Sequence, residues 1–263
     1  MPQLNFIKQG KGPILVLSHA LGSDLGMWDE VATALQSRYT VLRYDHRGHG
    51  KSEVVPGPYT IAGLAEDAAA LIARQARQPV HFVGISMGGI VAQALAVRYP
   101  QWIRSVVVAD AASHADDKTR ARWQERIRLV KEGGIEAVAD YVMARYFTPE
   151  FRADTDNGGK ARVAATRARL VATDPAAYVA SCQAMANMDF RTSNGLIHCP
   201  SLVVCGLRDE YTPPALSRAM AIGISGAQLR MLDTAHLSAV EQPLSFAKLV
   251  SDFLLSADPE ETA

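Results

Sequence analysis

The sequence predicts an α/β domain: a mostly parallel sheet flanked by helices on both faces and interrupted by a helical insertion. Three observations carry this. Short apolar runs rich in β-branched residues alternate with segments of helical periodicity up to about residue 113, and again from about 195. Between 114 and 194 the strand rhythm stops and helix-like segments crowd together. The run HFVGISMGGIVAQALAVRYP, residues 81–100, joins an apolar strand pattern to a helical one through the pentapeptide G-x-S-x-G centred on Ser86.

Residues 4–9 read as an edge strand, and 14–18 as a near-continuous apolar run of the kind found in strands buried on both faces. A helix-like stretch at 27–37, a strand at 40–44 and a helix at 61–74 follow, then the strand and helix around Ser86 and a strand at 105–109. This β-then-α order implies right-handed parallel crossovers. In the insertion, helices are expected at 118–131, 135–146, 160–172 and 176–188, separated by Thr148-Pro149 and by Asp156-Asn157-Gly158-Gly159. A strand at 201–206, a last strand at 228–232 and a closing helix through Leu255 complete the chain. The expected division is a core of 1–113 and 195–263 with a cap, or lid, of 114–194.

Composition bounds the partners. Lysine plus arginine equals aspartate plus glutamate at 27 each among 263 residues, so net charge favours neither nucleic acid nor an anionic membrane. A small-molecule partner is expected. No apolar stretch is long enough to span a bilayer and the N-terminus lacks a signal-like h-region, which reads as a soluble, cytoplasmic protein. Cys182, Cys199 and Cys205 are odd in number and lack metal-ligand spacing, so neither a disulfide framework nor a metal is expected, and no cofactor motif is present.

In open parallel sheets ligands bind beyond the carboxyl ends of the strands, so the residues just after each strand carry the chemistry. Ser86 sits where strand becomes helix, and the tight turn requires glycine two residues before and after it, at Gly84 and Gly88. The N–H of Met87, first in its helix, lacks an intrahelical acceptor and is a donor for an oxyanion; the loop His19-Ala20-Leu21-Gly22 supplies a second, the N–H of Leu21. A serine hydroxyl needs a base, and the base needs an orienting carboxylate. His236, after the last strand, and Asp209, after the preceding one, fill these roles; Asp110 is the alternative acid. His19 reads as a loop brace. The run DHRGHGKS at 45–52 reads as a compact structural turn, and no metal is placed on His46 and His49. Trp28 either lines the pocket or packs its loop. Trp123, Tyr146, Phe147, Met143, Met185 and Met188 are pocket or lid-core residues.

The order Ser86, Asp209, His236, together with LGSD at 21–24 running on to Met27-Trp28, DHRGHG at 45–50, SMGG at 86–89, Trp123 through Arg126-Ile127, YFTP at 146–149 and Ala235-His236 through EQP at 241–243, resembles the α/β-hydrolase fold. Within that superfamily the chain is similar to 3-oxoadipate enol-lactonases over nearly its full length. It departs from them at His19, Ala20 and Tyr146, where asparagine, glycine and tryptophan are commoner. The resemblance implies attack of Ser86 on a butenolide carrying a carboxymethyl group, in aromatic-compound catabolism. It also implies a cation for the substrate carboxylate, for which Arg122 and Arg126 are candidates. Related esterases, perhydrolases and C–C hydrolases share many of these motifs, which leaves a carboxylesterase or aryl esterase with perhydrolase side activity as the alternative. From another class, a non-catalytic module could use the same pocket to bind a ligand.

Overall fold

The computed structural model describes residues 1–257; the expected core's residues 258–263 lie outside the described residues. Seven strands form one sheet in the order β1-β3-β2-β4-β5-β6-β7. They are β1 (Phe6–Gly10), β2 (Ile14–Ser18), β3 (Thr40–Tyr44), β4 (Val80–Ile85), β5 (Ile103–Ala109), β6 (Ser201–Gly206) and β7 (Gln228–Leu232). Only β1 runs antiparallel, and it pairs with β3 at the edge. Strands β2, β4, β5 and β6 are almost wholly buried, as their continuous apolar runs require, and β4 lies at the centre.

The helices in chain order are α1 (Asp29–Leu35), α2 (Ile61–Gln75), α3 (Met87–Arg98), α4 (Asp117–Gly133), α5 (Glu136–Tyr146), α6 (Pro149–Ala153), α7 (Gly159–Val171), α8 (Pro175–Ala186), α9 (Pro214–Gly223), α10 (Ser238–Glu241) and α11 (Pro243–Ala257). Helix α3 is buried from Met87 through Ala96, which explains why its sequence is apolar almost all round. Helices α4 to α8 all lie between β5 and β6, and His114 bridges Asp189 where the chain leaves and rejoins the sheet. Three of them, α4, α6 and α8, start at side-chain caps: Asp116 accepts from Thr119 N–H, Thr148 from Phe151 N–H and Asp174 from Ala177 N–H.

Two helices were not expected from the sequence. Helix α9 fills the β6 to β7 crossover, and its signal was Pro214 at the first turn with Ser217 and Met220 as its buried residues. Helix α6 is a single capped turn after Thr148-Pro149, too short for periodicity to reveal.

Candidate active site

The elbow around Ser86 is dictated by close backbone packing. Ser86 holds φ 54° and ψ −116°, a positive φ that a residue with a Cβ rarely adopts. A Cβ on Gly84 would stand 2.1 Å from the Gly88 carbonyl oxygen, and one on Gly88 would stand 2.2 Å from that of Ser18. Ser86 occupies the N-cap of α3 without making a capping hydrogen bond. Its hydroxyl instead meets the imidazole of His236, Oγ to Nε2 at 2.9 Å.

His236 Nδ1 lies 2.8 Å from Asp209 Oδ2. The other Asp209 oxygen accepts the N–H groups of Tyr211 at 2.7 Å and Thr212 at 2.9 Å, and the Thr212 hydroxyl donates to Oδ2 at 2.5 Å. Burial alone would raise the Asp209 pKa, but the adjacent imidazole and these donors outweigh it and hold the carboxyl below its ordinary range. Burial pulls His236 down, yet Asp209 outweighs it and raises the imidazole above its ordinary value.

Asp110, also at the carboxyl edge and on the wall of the same cavity as Ser86, has other hydrogen-bond partners. One oxygen accepts Gly206 N–H at 2.9 Å; the other accepts the N–H and hydroxyl of Ser238, at 3.0 and 2.6 Å. It ties the end of β6 to the turn after His236, and burial together with the Asp209 charge raises its pKa to about 7. Of the two acids, only Asp209 is hydrogen-bonded to the imidazole.

Leu21 and Ser86 face a common cavity of about 560 Å³. Met87 is buried at the start of α3, where its N–H has no acceptor within the helix. The cavity roof comes from α4, α5 and α8, with Arg122, Trp123, Arg126, Tyr146, Met185 and Met188 among its lining. Arg122 is exposed, whereas Arg126 is only 6% exposed and has no carboxylate within ion-pair distance among the described residues. Its guanidinium donates to the Tyr211 hydroxyl at 2.5 Å and lies 4.9 Å from the Trp123 ring centroid. Tyr211 and Tyr178, which the sequence reading did not single out, thus surround this cation; the nearby Thr212 is recognisable afterwards as the donor of an Asp-x-x-Thr turn.

Trp28 corrects one expectation. It does not line the cavity: it is fully buried, its ring 5.9 Å from that of Phe246, because Asp24 caps the short 3-10 turn at Leu25–Trp28 and tucks the indole against α11. His19 braces a loop, its Nε2 accepting the His46 N–H at 2.9 Å. His46 and His49 are buried with it, and burial lowers the pKa of all three, His49 to about 3. Asp45 collects the N–H groups of Leu25 and Lys51, while Arg47 pairs with Asp67. No cluster of metal-ligating side chains occurs among the described residues.

A family model described as alpha/beta hydrolase fold matches residues 13–243. The chain belongs to the α/β-hydrolase fold family. Within this family it is 34% identical over 245 residues to 3-oxoadipate enol-lactonase 2 of Acinetobacter baylyi, covering 92% of this chain and 90% of the relative. The crystal structure of the enol-lactonase from Burkholderia xenovorans LB400 superposes with a TM-score of 0.91 at 35% identity, covering 96% of each chain. A Pseudomonas syringae pv. syringae protein bearing the name carbamate hydrolase RutD is 31% identical, covering 92% of this chain and 93% of the relative. Relatives that match nearly the whole chain therefore carry differing substrate names. None of the described helices is long and apolar enough to cross a membrane.

Proposed function

We propose that this α/β-hydrolase is a serine lactonase that opens 3-oxoadipate enol-lactone through an acyl-enzyme on Ser86, in aromatic-compound catabolism. The observation that carries the reading is Arg126: a buried guanidinium without an acid partner among the described residues, on the wall of the same cavity as Ser86 and His236. A buried cation left without a counter-ion is costly, and a substrate carboxylate supplies the missing charge. The relatives named as enol-lactonases, at 34% and 35% identity against 31% for the relative named as a carbamate hydrolase, support the same reading.

The geometry supports the following steps. Ser86 Oγ attacks the ring carbonyl while His236 Nε2, 2.9 Å away, takes its proton; Asp209 holds the tautomer and stabilises the imidazolium. The N–H groups of Met87 and Leu21 receive the oxyanion. Collapse of the tetrahedral intermediate breaks the ring C–O bond, and His236 returns the proton to the departing enol oxygen, which stays tethered to the acyl chain. Water then attacks the ester, giving its proton to His236, and Ser86 leaves with that proton. The released enol tautomerises to 3-oxoadipate.

The insertion, residues 114–194, serves as the cap that excludes water and selects the substrate. The unpaired thiols of Cys182, Cys199 and Cys205 support a reducing, cytoplasmic setting. A second reading, a carboxylesterase, is favoured by the apolar part of the wall, where Ile90, Leu129, Val138, Met185 and Met188 would accept a neutral acyl chain. A module that only binds a ligand has no need of serine, imidazole and carboxylate all within hydrogen-bond distance. The deciding experiment is turnover of the enol-lactone beside neutral 4-nitrophenyl esters and simple lactones. Preference for the carboxylate-bearing lactone is expected; good ester turnover with no enol-lactone turnover would replace this reading with the carboxylesterase.

A further inference from the structure

The loop carrying His236 is held from one side by the cap. Glu241, in the turn α10 and 8% exposed, accepts the N–H of Ala235 on Oε2 at 3.0 Å. The same carboxylate reaches across to the junction between α5 and α6, where its Oε1 accepts the Thr148 hydroxyl and its Oε2 accepts the Thr148 N–H at 3.4 Å. Two residues back along the same junction, the Tyr146 carbonyl accepts the N–H of Leu237 at 3.1 Å. Residues 235 and 237, flanking His236 on both sides, are therefore hydrogen-bonded to one short segment, 146–148, directly or through Glu241. Tyr146 extends the linkage: its ring centroid lies 5.4 Å from that of His236, and its hydroxyl donates to the Leu21 carbonyl at 3.3 Å.

We infer that Glu241 is a positioning residue that fixes the backbone bearing His236 against the Tyr146–Thr148 junction of the cap. Cap seating and imidazole placement are then one mechanical unit. The inference rests on the reading of His236 as the general base. A backbone N–H at Ala235 left without its acceptor would let the loop shift, and displacement of about 1 Å at a catalytic group costs on the order of a hundredfold in rate. Glu241 acts through the loop and does not touch the imidazole, so it is expected to alter kcat rather than ground-state binding.

The experiment compares Glu241→Ala, Glu241→Gln and Thr148→Val in the full chain. It measures kcat and KM per serine labelled by a fluorophosphonate, together with the downfield proton resonance of the His236 Nδ1–H bond to Asp209, assigned by its loss in Asp209→Asn. Glu241→Ala is expected to lower kcat about a hundredfold with KM within about threefold, and to broaden or shift the resonance. Glu241→Gln should restore most of the rate, because its amide oxygen still accepts from Ala235 and its amide nitrogen can donate to the Thr148 oxygen. Thr148→Val should lower kcat by a smaller factor, about three- to tenfold, by removing the cap-side hydroxyl. A Glu241→Ala enzyme with wild-type kcat per labelled serine and an unmoved resonance overturns the inference. So does a Glu241→Ala chain that fails to fold while Thr148→Val keeps wild-type kcat and resonance. If wild type hydrolyses no ester or lactone, the proposed function fails, and the resonance in the same variants still decides the positioning role.

Discussion

The Arg126 guanidinium donates to the Tyr211 hydroxyl at 2.5 Å, and the Tyr211 ring in turn packs 5.1 Å from the ring of His236. The only buried arginine on the cavity wall among the described residues thus stands one aromatic ring away from the His236 imidazole. Arg126→Met keeps bulk and removes the charge. For the carboxylate-bearing lactone, kcat/KM is expected to fall by the equivalent of about 2 to 5 kcal/mol, the cost of breaking a buried charge-assisted contact. Hydrolysis of a neutral short-chain ester should barely change. Arg122→Met, at an exposed site, should cost little on either substrate. Equal losses on both substrates in Arg126→Met would remove the clamp assignment.

The two buried acids at the carboxyl edge are expected to separate cleanly. Asp209→Asn leaves the Tyr211 and Thr212 N–H groups an acceptor but takes the charge from His236, and kcat should drop roughly ten-thousandfold. Asp110→Asn places an amide beside Gly206 N–H or the Ser238 donors, so its main effect should be on thermal stability, with a much smaller loss of kcat. Steady-state kinetics on both variants, beside their melting curves, tests this. A larger kinetic loss in Asp110→Asn would transfer the acid role to it.

At the elbow, activity and stability should respond oppositely to two small changes. Ser86→Ala removes only a hydroxyl, so folding should survive while kcat falls on the order of a millionfold. Gly84→Ala adds a methyl that meets backbone, the Gly88 oxygen at 2.1 Å and its carbon at 2.3 Å, with no flexible side chain to yield. Destabilisation of about 3 kcal/mol or more is expected in denaturant unfolding, where overpacking usually costs about 1 to 3. Gly84→Ala with a wild-type midpoint would mean that the turn relaxes freely.

How much of this was legible in the sequence depends on range. The elbow was legible because its chemistry is local: strand pattern, glycine spacing and helix pattern lie within twenty residues. Ser86, Asp209 and His236 were legible because chain order and strand ends put all three at one sheet edge. Trp28 was not, since an indole after a glycine-rich loop has the same local sequence whether it faces the cavity or Phe246, and only packing against α11 decides. Arg122 and Arg126 likewise share a helix and a composition. Their different burial follows from the rotation of α4 against α8, which brings Tyr178 to Arg126, and no local pattern reports that. The Glu241 to Thr148 link spans 93 residues and pairs two common side chains, so it was invisible before the fold.

The pH dependence of kcat/KM follows from the surroundings of His236. The imidazole must be neutral to take the Ser86 proton, so activity rises with pH through the folded-state pKa of His236. Burial lowers that pKa, but the Asp209 charge and hydrogen bond and the more distant Asp110 raise it, and the net direction is upward, while Arg126 pulls slightly the other way. With a neutral ester as substrate, whose own charge does not titrate, the acidic limb is expected to have its midpoint above the ordinary histidine value of about 6.5. Asp209→Asn removes the largest raising influence and leaves burial, so the midpoint of its residual activity should move below that of wild type. Arg126→Met should move it the other way, by a smaller amount. Opposite displacements in the two variants would assign the limb to His236. An acidic limb that stayed fixed in both would place the titrating group elsewhere, and the assignment of His236 as the base would fall with it.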